Sequence, residues 1–221
     1  MSQRIAGAGV RLVVFDLDGT LVDSAGDIAT AVNATLARIA PGCPPLALDA
    51  VRSYIGNGAG KLVARSLSAR GIDVRPEDAL PIFLECYREC LLDTTRLYPG
   101  VVETLDALGG RALTVLTNKP GDMSRTILEG LGVAGRFSRI WGAGDVPQRK
   151  PDPAGLLLLM REVGATGEET ALVGDSAIDV RTGRAAGVRT IGVTYGLDPE
   201  SLAAEPPDAT ISDLRELPRL I

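Results

Sequence analysis

The sequence predicts an α/β fold: a parallel sheet covered by helices on both faces, with a helical insertion after the first strand. Three observations carry this. Short apolar runs rich in β-branched residues recur along the chain, as buried parallel strands require. From residue 99 onward these runs alternate with helix-period segments, the pattern of a sheet wound by crossover helices. The stretch from Val22 to about Arg96 breaks that alternation and reads helical nearly throughout.

The first run, Arg11–Phe15 (RLVVF), ends in Asp16. In the insertion, Ile28, Val32 and Leu36, then Leu62 and Leu67, then Leu80, Phe83, Tyr87 and Leu91 recur at helical spacing. Pro41–Pro45 and Gly71–Pro76 punctuate it. Tyr98-Pro99-Gly100 brings the chain back to the α/β pattern. Strands are then expected at Ala112–Leu116, around Ile140, at Ala171–Val173 and at Thr190–Val193. Helices are expected at Val101–Leu108, Met123–Leu131, Pro153–Val163 and Ala177–Ala186. This divides the chain into a core of residues 1–21 and 96–221 and a helical cap of residues 22–95. Two neighbouring crossings between them make a hinge, on which the insertion can open and close as a lid.

Composition narrows the chemistry. Hydrophobic residues make up 45% of the 221 and charged residues 23%, ordinary values for a folded protein. A net charge of −5 disfavours a nucleic-acid coat or an anionic-membrane binder. Histidine is absent, which excludes Ser-His-Asp triads, Cys-His pairs and His-ligated zinc. The opening MSQRIAGAGVRLVVFDLDG does not read as a signal peptide, because Arg4 precedes an apolar stretch that runs directly into acids. No apolar run reaches membrane-spanning length, so a soluble cytoplasmic protein is expected. Cys43, Cys86 and Cys90 are too few and too scattered for a disulfide framework, and Cys86 and Cys90, four apart, read as small core residues. Lysine occurs only at 61, 119 and 150, against many arginines, so its placement is informative.

The most informative segment is Asp16-Leu17-Asp18-Gly19-Thr20-Leu21-Val22-Asp23-Ser24. Two acids two apart at the carboxyl end of a strand point the same way, at the edge where open α/β sheets bind ligands. Carboxylates held together repel unless a cation or a shared proton relieves them. Val173-Gly174-Asp175-Ser176-Ala177-Ile178-Asp179 repeats the layout, so Asp175 can share a hard cation with Asp16; Mg²⁺, which takes few carboxylates plus water and phosphate, suits the set. Thr117-Asn118-Lys119-Pro120 follows a third strand, where a hydroxyl beside a helix amino-terminus seats an anion. Lys150-Pro151-Asp152-Pro153 puts a cation at a helix start, where the dipole disfavours it unless an anion is bound. Each has a plainer reading as a turn, a helix cap or a solvated lysine.

Four such segments in this order resemble the haloacid dehalogenase-like hydrolase superfamily over nearly the whole chain: DLDGTLVDS, TN, KPDP and GDSAID match its four motifs. The resemblance implies a Rossmann-like parallel-sheet core with a helical cap, its first strand near the middle between the Thr117 and Asp175 strands. It implies Asp16 as a nucleophile forming an aspartyl-phosphate, and Asp18 as the acid that protonates the leaving oxygen and then deprotonates water. It implies Mg²⁺ held by Asp16, the backbone carbonyl of Asp18 and Asp175, with Thr117, Asn118 and Lys150 on the phosphate oxygens and Asp179 orienting Lys150 or a nearby water. An acid at Asp18 serves phosphate esters rather than carbon–halogen cleavage.

In the cap, Tyr54-Ile55-Gly56-Asn57-Gly58-Ala59-Gly60-Lys61 fails as a Walker A loop, with Ile55 and Leu62 at two required positions, and no strand precedes it for a Rossmann loop. It reads as a loop over the site whose backbone N–H groups meet substrate, or as a helix-breaking turn. Ile55-Gly-Asn-Gly-Ala, with Tyr195-Gly196, resembles the phosphoglycolate phosphatase branch; Gly56, Asn57 and Gly58 would line the substrate, and Lys61 or Arg65 would meet its carboxylate. Ala177-Ile178 departs from that branch, which leaves pyrophosphate, sugar phosphates or a β-phosphoglucomutase-like mutase as alternatives. A phospho-accepting signalling receiver is a different class and would lack the helical insertion. The expected partner is a small phosphomonoester, with no nucleic acid and no membrane, for a monomer or a homodimer.

Overall fold

Leu12–Phe15 (β1) is buried along its whole length. Alternation sends Val13 and Phe15 into one apolar cluster and Leu12 and Val14 into another. A strand covered on both faces belongs in the interior of a parallel sheet. The computed structural model describes residues 9–221, so the reading of the first residues as no signal peptide, and residues 1–8 of the expected core, lie outside the described residues.

β1 pairs in parallel with Ala112–Pro120 (β4) on one side and Thr170–Gly174 (β6) on the other. Arg139–Ala143 (β5) follows β4, and Arg189–Val193 (β7) and Ala209–Ile211 (β8) follow β6. The order is β5-β4-β1-β6-β7-β8, with the first strand between the Thr117 and Asp175 strands as expected. β8 was not anticipated, because three residues carry no readable period.

The helices Val101–Ala107 (α5) and Gly121–Gly130 (α6) bury Val101, Leu105, Met123 and Ile127 on the Val13 face. Ala154–Val163 (α7) buries Leu156 and Leu159 on the Leu12 face, with Ala177–Ala186 (α8) packed beside it. Among the described residues no helix is long and apolar enough to cross a membrane.

Between β1 and α5 lie four helices: Ala25–Ile39 (α1), Leu48–Arg52 (α2), Ala59–Ala69 (α3) and Pro76–Glu89 (α4). α1 buries Ile28, Val32 and Leu36, α3 buries Leu62 and Leu67, and α4 buries Phe83 and Tyr87, the spacing expected. Cys86 and Cys90 are buried with them, and burial pushes the Cys90 thiol up to about 11, an inert core residue.

The insertion is not helical at its ends. Val22–Asp23 (β2) and Arg96–Leu97 (β3) pair antiparallel, so the two crossings lie side by side. Asp27, buried in the first turn of α1, ties them together. Its Oδ1 accepts from the Thr94 amide at 2.8 Å and hydroxyl at 2.5 Å, and its Oδ2 from the Thr95 amide at 2.8 Å and hydroxyl at 2.6 Å. Burial alone would raise this carboxyl, but the four donors outweigh it and hold it below the ordinary range.

Because the folded value lies below the unfolded one, this stabilisation is complete above roughly pH 4 and is lost as pH falls through the depressed value. Asp27→Asn turns one acceptor into a donor facing donors. It should lower the unfolding free energy at pH 7 by about 2 kcal/mol and flatten the acid limb of the stability curve. Urea titrations of both proteins from pH 7 to pH 3 check this, and parallel acid limbs would dismiss the clamp.

Candidate active site

Strand register assembles the site. Phe15 lies level with Val115 on β4 and Val173 on β6, so Asp16, Thr117 and Asp175 emerge together at the carboxyl edge. The Asp16 amide still donates to the Val173 carbonyl at 2.9 Å, which fixes the first acid at the last rung of the ladder.

Asp16, Asp175 and Asp179 each offer an oxygen within 4.8 Å of the others, all buried. Lys150, with 2% of its side chain exposed, lies 2.9 Å from Asp16 Oδ1 and 2.6 Å from Asp179 Oδ1. Its ammonium stays charged well above its ordinary range, because the two acids outweigh the burial that opposes charge. Asp179 Oδ2 accepts from the Ser176 hydroxyl at 2.8 Å, fixing the carboxylate at the start of α8. Burial, with Asp179 adding and Lys150 opposing, pushes Asp16 up to about 6. Burial, then the charges of Asp16 and Asp179, raises Asp175 well above its usual range, against the Leu197 and Asp198 amides that donate to its Oδ2 at 2.7 and 3.2 Å.

The Asp18 carboxylate turns away from this cluster. Its Oδ1 accepts from Ser24 Oγ at 2.5 Å and from Lys119 Nζ at 2.8 Å. Four carboxyl groups thus meet two ammonium groups in a buried space, so the acids outnumber the cations beside them. Hard oxygen donors in that excess fit a divalent cation, so the residues present suit a metal site.

Glycines let the backbone close around the acids. A Cβ at Gly19, where φ is +85°, would stand 2.1 Å from Asp175 Oδ2, and one at Gly196 would stand 2.3 Å from Asp175 Cβ. Tyr195, just before, donates its hydroxyl to the Thr20 carbonyl at 2.9 Å, pinning that loop beside the first one.

β4 shifts register after Leu116 and runs on to Pro120, past the expected strand end, and α6 begins at Gly121, two residues before the expected Met123. Thr117 and Asn118 line a small space between sheet edge and insertion, with Asp16 and Asp18 on its floor. Asn118 Nδ2 donates to the carbonyls of Gly56 at 3.2 Å and Lys150 at 3.0 Å, while its buried Oδ1 has no protein partner.

Gly56 and Gly58 roof the space; Asn57 is not part of the lining. Toward the core this loop presents the Gly56 carbonyl, which accepts from Asn118 Nδ2. Lys61 and Arg65 lie outside this lining. α3 buries Leu62, Val63, Ser66 and Leu67, so residues 61 and 65, four apart, share its exposed side. Arg65 reaches only the Tyr54 carbonyl, at 3.4 Å.

Sequence reasoning passed over Lys119 and Tyr87 as site residues. Lys119 Nζ lies 2.5 Å from the Tyr87 hydroxyl of α4 and 4.6 Å from its ring centre. Lysine scarcity was the available signal for Lys119; for Tyr87, whose helical spacing fits a core position, there was none.

With this geometry the relatives are informative. A family model of haloacid dehalogenase-like hydrolases matches residues 13–193. The phosphoglycolate phosphatase of Pseudomonas putida is 42% identical over 224 residues, 97% of this chain and 81% of that relative. Phosphoglycolate phosphatase 1 of Pseudomonas aeruginosa is 42% identical over 215 residues, 94% of this chain and 78% of that relative. The crystal structure of a predicted phosphoglycolate phosphatase from Haemophilus somnus matches with a TM-score of 0.89 at 32% identity, covering 96% of this chain and 97% of that one. The chain belongs to the haloacid dehalogenase-like hydrolases.

Gly196→Ala should displace Asp175 without uncovering the sheet. Calorimetric titration with Mn²⁺ should show affinity weakened at least about tenfold, with the melting temperature within a few degrees of the parent. Unchanged Mn²⁺ affinity would remove Asp175 from the cation site.

Proposed function

We propose that the protein is a Mg²⁺-dependent phosphatase that hydrolyses a small phosphomonoester, foremost 2-phosphoglycolate to glycolate and phosphate, through an aspartyl-phosphate on Asp16. The observation that carries the reading is the contrast between two neighbouring acids. Asp16 lies among Lys150, Asp175 and Asp179, where a phosphoryl group and a cation would be held. Asp18 faces the open space beside it, next to Ser24 and Lys119.

In the first step an Asp16 oxygen attacks phosphorus, a P–O bond forms to the carboxylate and the ester P–O bond breaks. Asp18 gives its proton to the departing oxygen. In the second step Asp18 takes a proton from water, which attacks the phosphorus and returns Asp16 as a carboxylate. Thr117, Asn118 and Lys150 hold the non-bridging oxygens, where charge must be stabilised; the side-chain amide of Asn118 is taken up by the Gly56 and Lys150 carbonyls, so the group left to it for a phosphate oxygen is its backbone N–H. Asp179 positions Lys150. Asp16, Asp175 and the Asp18 carbonyl would hold Mg²⁺, which when bound neutralises the phosphate so that an anionic nucleophile can approach.

Residues 22–95 act as a cap over a core of residues 1–21 and 96–221, hinged at the β2–β3 pair, with the Gly56–Gly58 loop closing over the substrate. The limited space above Asp16 and Asp18 supports a small ester, and the names of the relatives support phosphoglycolate. Three free thiols suit a reducing, cytoplasmic compartment.

Phosphate release from 2-phosphoglycolate, pyrophosphate, glucose phosphates and a nucleoside monophosphate, with Mg²⁺ and with chelator, tests this. The first should lead by about tenfold or more in kcat/KM and all release should stop on chelation. Asp16→Asn should lower turnover by about a thousandfold or more. Mg²⁺-dependent turnover retained in that variant would remove Asp16 as the nucleophile, and broad weak activity would sink the substrate assignment.

A further inference from the structure

One buried charge beside Asp18 has no contact with substrate in the mechanism above. Among the described residues, Lys119 is the only basic residue lining the space between sheet edge and insertion. Its side chain is 3% exposed. Lys150, between Asp16 and Asp179, belongs to the phosphate end of the site. Much of the remaining wall is apolar, with Ile28, Ile55, Leu62 and Phe83 contributed by the insertion. A second anionic group on a substrate entering such a space pays a desolvation penalty unless a cation meets it there.

Substrate length decides where that cation must be. In 2-phosphoglycolate a single methylene separates the carboxylate from the leaving oxygen. The leaving oxygen has to reach Asp18 to receive its proton. The carboxylate must therefore land within a few bonds of Asp18, against whatever adjoins it. Lys119 Nζ adjoins it, at 2.8 Å from Asp18 Oδ1. Lys61 and Arg65 are on the exposed side of α3 and cannot serve. Arg52 is engaged with the Gly196 carbonyl at 3.2 Å, and Arg149 is exposed beside Gly58, outside the lining.

Tyr87 completes the arrangement from the opposite side. Its hydroxyl oxygen accepts from Lys119 Nζ, which leaves the phenolic proton free to be donated. An ammonium from β4 and a hydroxyl from α4 thus present two donors to one spot. One belongs to the core and the other to the insertion, so the pair exists only when the insertion lies over the sheet edge.

We propose that Lys119, positioned by Tyr87, is the counter-charge for a carboxylate on the substrate, and so selects phosphate esters whose leaving group carries one. This deepens the phosphatase reading and rests on it. It replaces Lys61 and Arg65 with a residue whose place is set by strand register rather than by a helix surface.

The test compares kcat/KM for 2-phosphoglycolate and for ethyl phosphate, which carries a methyl group where the carboxylate stands. It uses the Mg²⁺-loaded wild type, Lys119→Met, Lys119→Arg and Tyr87→Phe. Ratios between the two esters are read, because loss of the Lys119–Asp18 contact lowers turnover of both. The wild-type ratio should favour 2-phosphoglycolate strongly. Lys119→Met should reduce that ratio by about 100-fold, chiefly through KM. Lys119→Arg should recover part of it, and Tyr87→Phe should reduce it by about fivefold. An unchanged ratio in Lys119→Met, with both esters slowed equally, would overturn the assignment and leave the phosphatase reading standing. A wild type without preference for 2-phosphoglycolate would overturn the substrate reading and this one together, before any variant is made. Should Lys119→Met give no cooperative melt, Tyr87→Phe decides, and an unchanged ratio there overturns the proposal.

Discussion

Four carboxylates gathered at the end of one buried strand, with two lysines to answer them, are the constraint on which the rest of the molecule depends. Where carboxyl groups are buried, like charges repel far more strongly than at the surface. Asp16 and Asp175 show it: burial first, and neighbouring acids next, raise both carboxyls. Such a cluster persists only where the surrounding structure over-determines it. The sheet does so, because β1 is held on both edges by parallel ladders and on both faces by apolar clusters. Close-fitting glycines at 19, 174 and 196 let backbone approach the acids where any Cβ would collide with them.

The two lysines divide the cluster. Lys150 joins Asp16 to Asp179 within the core, a contact that does not involve the insertion. Lys119 joins Asp18 to Tyr87, and therefore joins the sheet edge to α4. Asn118 makes a second link of that kind through the Gly56 carbonyl. One half of the site is thus built from the sheet edge and α8, while the other half is shared between the sheet edge and the insertion. Asp27 and the β2–β3 pair hold the two crossings of the insertion together.

Much of this was legible in the residues. Asp16, Asp18, Asp175 and Lys150 stood out because strand ends carrying acids, and a lysine at a helix start, conflict with simple structural roles and call for a partner. α8 was bounded correctly because its apolar spacing, a serine cap and a following glycine all agree. β2, β3 and β8 were not visible, since two or three residues carry no period. The strand carrying Thr117 runs beyond Leu116 to Pro120, because it shifts register against the neighbouring strand β5. Lys61 and Arg65 were chosen for their charge and their nearness in sequence to the glycine loop. The direction a helix turns its residues depends on which face finds an apolar partner.

The amino-acid sequence by itself determined the class of fold, the helical insertion after the first strand and the chemical character of the site. Those follow from local periodicity and from residue types whose burial has a known electrostatic cost. Tertiary structure alone decided the company each charge keeps: Lys150 between Asp16 and Asp179, Lys119 between Asp18 and a tyrosine 32 positions before it in the chain. Such pairings depend on strand register and on the docking of one body over another, and both arise from contacts between residues far apart in sequence, which no local pattern encodes.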